Sequence, residues 1–310
     1  MTRPLDKKPF NKRLKYNAIY YSIKLFLFLA LKIPRVLIIT WLGWLGSLAY
    51  YVVVGEREKV IRHLKFAYGE ELSEKEVIKT AKGVFKMAGK NLGDILFFLK
   101  IDTLEKYLKY VKVEGQEHLD AAFQKGKGVV AFTGHIGAFE VAATYLAVKG
   151  YNPHVIGTKL HDEKINDLVL QYRTSRGAVA VERGKDNVKL LRALLSNGIL
   201  GILIDQDTRV KSIFVDFYGK PAFTPVGATL LAHKTGAAII PMFIQMQPDN
   251  SQIMYILPEI EKANSGDEEK DYLETTQKMN DCIEAFIRRD PRQWVWMHER
   301  WKTQPTKNQE

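Results

Sequence analysis

At 310 residues, with 46% hydrophobic and 26% charged side chains, the chain is long enough to bury a substantial core and too apolar for wholesale disorder. Its net charge of +11 is uneven: residues 1–35 hold nine Lys or Arg against Asp6 alone, which leaves about +3 for the rest. A basic head before an apolar stretch suits an anionic membrane surface and argues against nucleic acid as a partner, while the single cysteine, Cys282, excludes an intrachain disulfide and a cysteine-rich metal site and suits a reducing cytoplasm.

Two apolar stretches follow the head, separated by Pro34. Ala18 to Leu31 carries Lys24 near its middle, whereas Val36 to Val54 is uncharged and just long enough to cross a bilayer. Trp41, Trp44, Tyr50 and Tyr51 are amphipathic aromatics that favour headgroup depth. No small-residue cleavage site marks a signal peptide. Because Arg57, Lys59, Arg62 and Lys65 place positive charge beyond the stretch as well, an in-plane or hairpin arrangement is favoured over one clean span. The alternative is a helical pair buried in a soluble core.

Ser73 and Glu76 form a capping box that opens a helix to about Leu99. Beyond Tyr107, short β-branched runs alternate with amphipathic segments. Strands are expected at 129–132, 154–157, 178–182, 199–205 and 238–244, with helices from about 137 and at 162–176, 186–196, 226–235 and 271–289. This alternation predicts an α/β fold with a mostly parallel central sheet and helices on both faces. The segment 255–260 adds a candidate edge strand.

Reactive groups in such sheets gather at the carboxyl ends of strands. In GVVAFTGHIGAFE, His135 follows an apolar strand and Glu140 lies five residues on, about 140° away on an ideal helix. The two cooperate only if His135 is in the loop and Glu140 in the helix behind it. A neutral histidine suits removal of a proton from an attacking alcohol near pH 7, and a carboxylate behind it would fix the tautomer. A plain helix-capping role fits the spacing equally well. In ILGILIDQDTRV, Asp205 and Asp207 end a second apolar strand, where either one orients His135, binds a sugar hydroxyl or caps a turn. Arg176, with Arg173 and Arg183 nearby, is a candidate phosphate grip, set against an ordinary solvated basic face. The tail 291–302 combines three tryptophans with His298, Arg300 and Lys302, and packing is the favoured role for Trp294 and Trp296.

Four blocks in order resemble the lipid A biosynthesis (late) acyltransferase family, which also takes in phosphatidylinositol mannoside acyltransferases. They are the H-x4-E box of His135 and Glu140, the D-x-D strand end of Asp205 and Asp207, the stretch 214–241, and the closing QWVWMHERWK. The resemblance covers about Leu31 to Lys302. It implies a glycerolipid-acyltransferase-like fold with membrane-associated helices in 1–55 and an acyltransferase domain in 56–310. It implies catalysis by His135, Glu140 and Asp207, substrate binding by Arg176, Asp205 and Arg300, no metal and no bound cofactor. The co-substrate would be a thioester of acyl-carrier protein or coenzyme A. The acceptor would be a glycolipid hydroxyl, most simply on a lipid A precursor, at the inner membrane with the catalytic domain facing the cytoplasm. Two departures leave the acceptor open: His63-Leu64 where many members have Asn-Leu, and Gly134 where lipid A members often carry a polar residue.

The competing expectations are transfer to a lysophospholipid or ornithine-type lipid, hydrolysis with His135 activating water, and a non-enzymatic membrane adaptor. The chain lacks the G-x-S-x-G and H-E-x-x-H motifs of serine and zinc hydrolases.

Overall fold

Pro34 divides the N-terminal apolar region into α1 (Phe10–Ala30) and α2 (Arg35–Val52), because a residue preceding proline is pushed out of the helical region. The computed structural model describes residues 10–157, 162–175, 177–182 and 186–305. Helix α3 (Val54–Tyr68) follows, then α4 (Glu74–Phe98), whose start carries the expected capping box: Ser73 Oγ accepts from Glu76 N–H, and the Glu76 carboxylate accepts from Ser73 N–H at 2.9 Å. Helices α2 and α4 touch backbone to backbone. A Cβ on Gly46 would overlap the Phe85 carbonyl, and one on Gly89 would overlap that of Leu42. Only glycine permits so close a crossing.

The polar clasp at the start of α2 is buried. Arg35 donates from Nε and Nη2 to the two carboxylate oxygens of Asp94 at 2.6 and 2.7 Å, and Gln252 Nε2 donates to Asp94 Oδ2 at 2.6 Å. Asp94 is wholly buried and Arg35 nearly so.

From α5 (Leu104–Leu108) the chain enters β1 (Val111–Glu114), α6 (Gln116–Gln124) and β2 (Val129–Thr133). Next come α7 (Glu140–Val148), β3 (His154–Gly157), α8 (Glu163–Thr174), β4 (Val179–Glu182), α9 (Asn187–Leu195) and β5 (Ile199–Leu203). A hairpin of β6 (Ser212–Asp216) and β7 (Pro221–Pro225) precedes α10 (Gly227–Thr235), β8 (Ala238–Met246), β9 (Gln252–Ile256) and α11 (Glu268–Arg289). The main sheet has the order β1-β9-β8-β2-β5-β3-β4. The run from β8 to β4 is parallel throughout, and β9 joins β8 antiparallel. This is the mostly parallel α/β fold expected.

The strand near 255–260 is corrected in two respects. It is Gln252–Ile256, and it is interior, because β1 pairs beyond it and takes the edge. The four-residue β1 alternates valine with Lys112 and Glu114 over only two periods, with two charges in four residues and no continuous apolar run to mark it. The small antiparallel hairpin was likewise not foreseen. Its turn needs φ above zero at both Tyr218 and Gly219, the mark of a primed two-residue turn, yet Tyr-Gly is a weak turn signal.

Two apolar clusters cover the two faces of the sheet. One joins Val130, Phe132 and Leu200 to α9, α10 and α11; the other joins Val129, Ala131 and Ile199 to α7, α6 and the inner side of α2 and α4. Successive strand residues alternate between them, as the pleat requires.

Candidate active site

Strands β2 and β5 lie side by side, with Thr133 opposite Leu203. His135 and Asp205 each stand two residues beyond that pair, so the sheet register itself brings them together. Asp205 is wholly buried and accepts three hydrogen bonds: from His135 Nδ1 at 2.7 Å, from His135 backbone N–H at 2.6 Å and from Trp294 Nε1 at 2.8 Å. Burial pushes the Asp205 carboxyl pKa up, but the adjacent imidazole and these N–H donors outweigh it and bring it down to about 2.

A carboxylate that accepts from Nδ1 holds the hydrogen on that nitrogen and leaves Nε2 as the basic one. The His135 side chain is 23% exposed and lines a cavity of about 1570 Å³ to which α7 and α8 both contribute. Its floor is built from β2, β5, β3 and β4, and Leu27, Phe98, Leu146 and Met242 contribute to its apolar wall. Polar lining groups, Thr133, Gln206 and Thr208 among them, belong to the end of the sheet where β2 and β5 finish. The Phe139 ring meets the imidazole edge to face at 4.9 Å.

The loop that carries His135 is clamped by the C-terminal segment. Gly137 N–H donates to the Gln293 carbonyl at 2.8 Å, and Ile136 bridges Trp294. Gly137 has φ of +59°, and a Cβ there would overlap the Ile244 carbonyl, so the turn requires glycine. The tail is held in turn by His63, whose Nδ1 lies 2.8 Å from the Trp296 carbonyl and whose Nε2 lies 3.0 Å from Glu299.

The structure separates the candidate residues in space, and of the two aspartates offered as partner of His135 it brings Asp205 to the ring. Asp205 is the carboxylate at the imidazole, and with no exposed surface it has nothing to present to a substrate. Asp207, two residues further along, accepts from Thr303 N–H at 2.7 Å and so anchors the tail. Glu140 heads α7 and lines the same cavity as His135, while the bond to Nδ1 belongs to Asp205. Arg300 is fully buried: it donates to Phe223 O at 2.8 Å, to Thr224 Oγ1 at 2.5 Å and to Asn280 Oδ1 at 3.3 Å. Burial lowers its pKa to about 10 against the pull of Asp205 and Asp207. It braces the hairpin against α11 behind the dyad. Arg176 and Arg183 lie outside the described residues. Trp294, Trp296 and Trp301 are all buried, in keeping with packing.

Two residues near the dyad were not among the chosen site residues. Trp294 orients Asp205, a bond that nothing in the linear sequence announces. His298 has a buried Nε2 without a hydrogen-bond partner among the described residues, and burial lowers its pKa in the field of Asp205 and His135.

The depressed Asp205 pKa carries a prediction about acid stability. Relative to its usual value of 3.8, the folded carboxyl stabilises the native state fully above about pH 4, and that contribution is lost as the pH falls toward about 2. Unfolding free energy measured across this window is expected to fall less steeply in Asp205→Asn than in wild type.

A seven-stranded, mostly parallel sheet with a histidine–carboxylate pair at its strand ends, beside a large and mainly apolar cavity, defines an α/β protein whose polar groups gather at one cavity. Residues 7–303 match the family described as bacterial lipid A biosynthesis acyltransferase, and the chain belongs to that family. It is 25% identical over 285 residues to a lipid A biosynthesis lauroyltransferase of Escherichia coli, covering 90% of each chain. It is 27% identical over 194 residues to a phosphatidylinositol mannoside acyltransferase of Mycobacterium tuberculosis, covering 61% of this chain and 59% of that one. A lipid A biosynthesis palmitoleoyltransferase of Escherichia coli is 26% identical over 209 residues, covering 64% of this chain and 63% of that one. The chain thus matches about three fifths of the length of the mycobacterial relatives.

Proposed function

We propose that this protein transfers a fatty acyl chain from a thioester of acyl-carrier protein or coenzyme A to a hydroxyl of a membrane glycolipid, with a lipid A precursor as the first acceptor to try. The observation that carries the reading is the His135–Asp205 pair on a large apolar cavity. In this mechanism His135 Nε2 takes the proton of the acceptor hydroxyl as its oxygen attacks the thioester carbonyl. The tetrahedral intermediate collapses, the carbon–sulfur bond breaks, and the imidazolium returns the proton to the departing thiolate. Asp205 stays ionised throughout and stabilises the imidazolium between the two transfers. The relatives' names support a glycolipid acceptor, since they name phosphatidylinositol mannoside and lipid A.

The N-terminal helices support work at a membrane surface, for which we propose the cytoplasmic side of the inner membrane. Among the described residues, α2 alone is long and apolar enough to cross a bilayer. One side of it, with Ile38, Ile39 and Leu42, is sealed against α4 and the core. The other side exposes Val36, Leu37, Trp41, Trp44 and Leu48. A helix bound to the domain along its length fits one-sided insertion at the interface better than a lipid-surrounded span. With vesicles containing anionic lipid, brominated acyl chains are expected to quench Trp41 and Trp44 while sparing the buried Trp294, Trp296 and Trp301. Trp41 and Trp44 remaining as open to an aqueous quencher with vesicles as without them would remove the membrane assignment.

The test of the reaction is transfer of a radiolabelled acyl chain by membranes containing the full chain. Both thioesters are offered, with a lipid A precursor, a phosphatidylinositol mannoside and bulk phospholipid as acceptors. Label in one glycolipid, lost in His135→Ala, is the expected result. Label only in phospholipid overturns the glycolipid acceptor, and the absence of His135-dependent label leaves the adaptor reading standing.

A further inference from the structure

We propose that Gly201, in the middle of β5, is the position that sets the length of acyl chain the cavity accepts. The inference rests on the reading of that cavity as the acyl site.

The strand register defines a row across the sheet: Ala131 on β2 is opposite Gly201, Gly201 is opposite Val155 on β3, and Val155 is opposite Ala180 on β4. The sequence neighbours Leu200 and Ile202 pack with the cluster under α9, α10 and α11, whereas Ala131 packs with the α7 cluster. By strand alternation Gly201 therefore faces α7 and the cavity, and all four residues of the row line it. One turn of the pleat deeper, Val129 is opposite Ile199, and both are completely buried. On β2 and β5 the open space thus ends at the row that contains Gly201, while on β3 and β4 the lining continues one row deeper, at Pro153 and Ala178.

This floor is directly connected to the chemistry. Ala131 precedes His135 by four residues on the same strand and loop, about 13 Å at roughly 3.3 Å per residue. A chain whose carbonyl carbon is held at His135 and whose tail runs down β2 and β5 meets this row where the floor closes under Gly201. The row has side chains at Ala131, Val155 and Ala180, and none at Gly201.

Structural necessity does not account for the glycine. Gly201 has ordinary negative φ, and a Cβ built on it would meet nothing closer than 3.9 Å, the distance to His154 O and Val155 Cγ2. A glycine inside a central strand weakens it and forgoes packing. Here the missing side chain is room on the cavity floor. A branched side chain added there would take the space of the last methylenes of a long tail and leave a short one untouched, and one methylene in an apolar pocket is worth about tenfold or more in discrimination.

The experiment uses Gly201→Ala, Gly201→Val and Gly201→Leu in the full chain, with donors from octanoyl to stearoyl offered as thioesters of both acyl-carrier protein and coenzyme A, and the acceptor that wild type labels. The preferred chain is expected to shorten in the order Ala, Val, Leu. The ratio of kcat/KM for long over short donors should fall about tenfold or more for Val, with the shortest donor losing least. Thermal melts should stay at the wild-type value, because the new Cβ meets no atom in conflict. An unchanged length profile, or an equal loss for every donor, overturns the assignment of Gly201. A wild-type protein that transfers no chain, or one whose transfer survives His135→Ala, instead sinks the acyl-site reading on which the inference stands, and the inference with it.

Discussion

His135→Ala is expected to abolish acyl transfer, and Asp205→Asn to lower kcat by on the order of 10³-fold or more with little change in KM. The second substitution is the more informative. Asp205 accepts from both Nδ1 and the backbone N–H of His135 and from Trp294. An asparagine in its place satisfies some of these donors with its carbonyl but presents an NH₂ group to the others. The imidazole then loses the partner that holds its hydrogen on Nδ1, and the population with a basic Nε2 falls. The charge that stabilises the imidazolium is lost as well. Because the Asp205 carboxyl is held at about 2, it remains ionised across the neutral range, so it does not itself shape the pH profile there. Asp207→Asn is expected to stay within about tenfold of wild type, since its carboxylate serves one hydrogen bond to the tail at Thr303. Purified variants assayed side by side decide the matter: a collapse in Asp207→Asn with a mild effect in Asp205→Asn would transfer the orienting role to Asp207.

The second large effect concerns stability. Asp94→Ala is expected to cost about 3–5 kcal/mol, the range found when one partner of a buried ion pair is removed. Asp94 has no exposed surface and is the acceptor for both Arg35 and Gln252. Its loss strands a guanidinium that is 9% exposed at the start of α2. The clasp joins the first turn of α2 to α4 and to β9, so its rupture also loosens the helix that presents Trp41 and Trp44 outward. Denaturant unfolding of the detergent-solubilised protein measures the loss. The double substitution Arg35→Met with Asp94→Leu should recover much of it, because two apolar groups leave no buried charge unpaired. Failure of the double variant to recover would locate the cost in packing and not in the stranded charge.

The strand–helix alternation beyond residue 107 was legible because each long element carries its own periodicity. The predicted strands at 129–132, 154–157 and 238–244 coincide with β2, β3 and most of β8. Charged or unusually turned elements escaped: β1 places Lys112 and Glu114 among its four residues, and the β6–β7 hairpin turns on Tyr218, a residue that does not advertise positive φ. The candidate site was legible as a set of residue types at strand ends, and His135 with an aspartate from the next apolar strand was in view.

By itself, the sequence determined the class of fold, the family, the basic and apolar N-terminus, and the location of the polar groups at the ends of buried strands. These are local properties of hydrophobic period and residue order. The tertiary structure alone decided which carboxylate meets the imidazole, because that depends on β5 lying beside β2 with Thr133 opposite Leu203, a pairing across some seventy residues of chain. It also decided that Arg300 is buried behind the site and that Trp294 bonds Asp205, because the C-terminal segment returns across the His135 loop. The depth of the cavity and the vacant position at Gly201 likewise follow from which face of each strand the pleat turns toward α7.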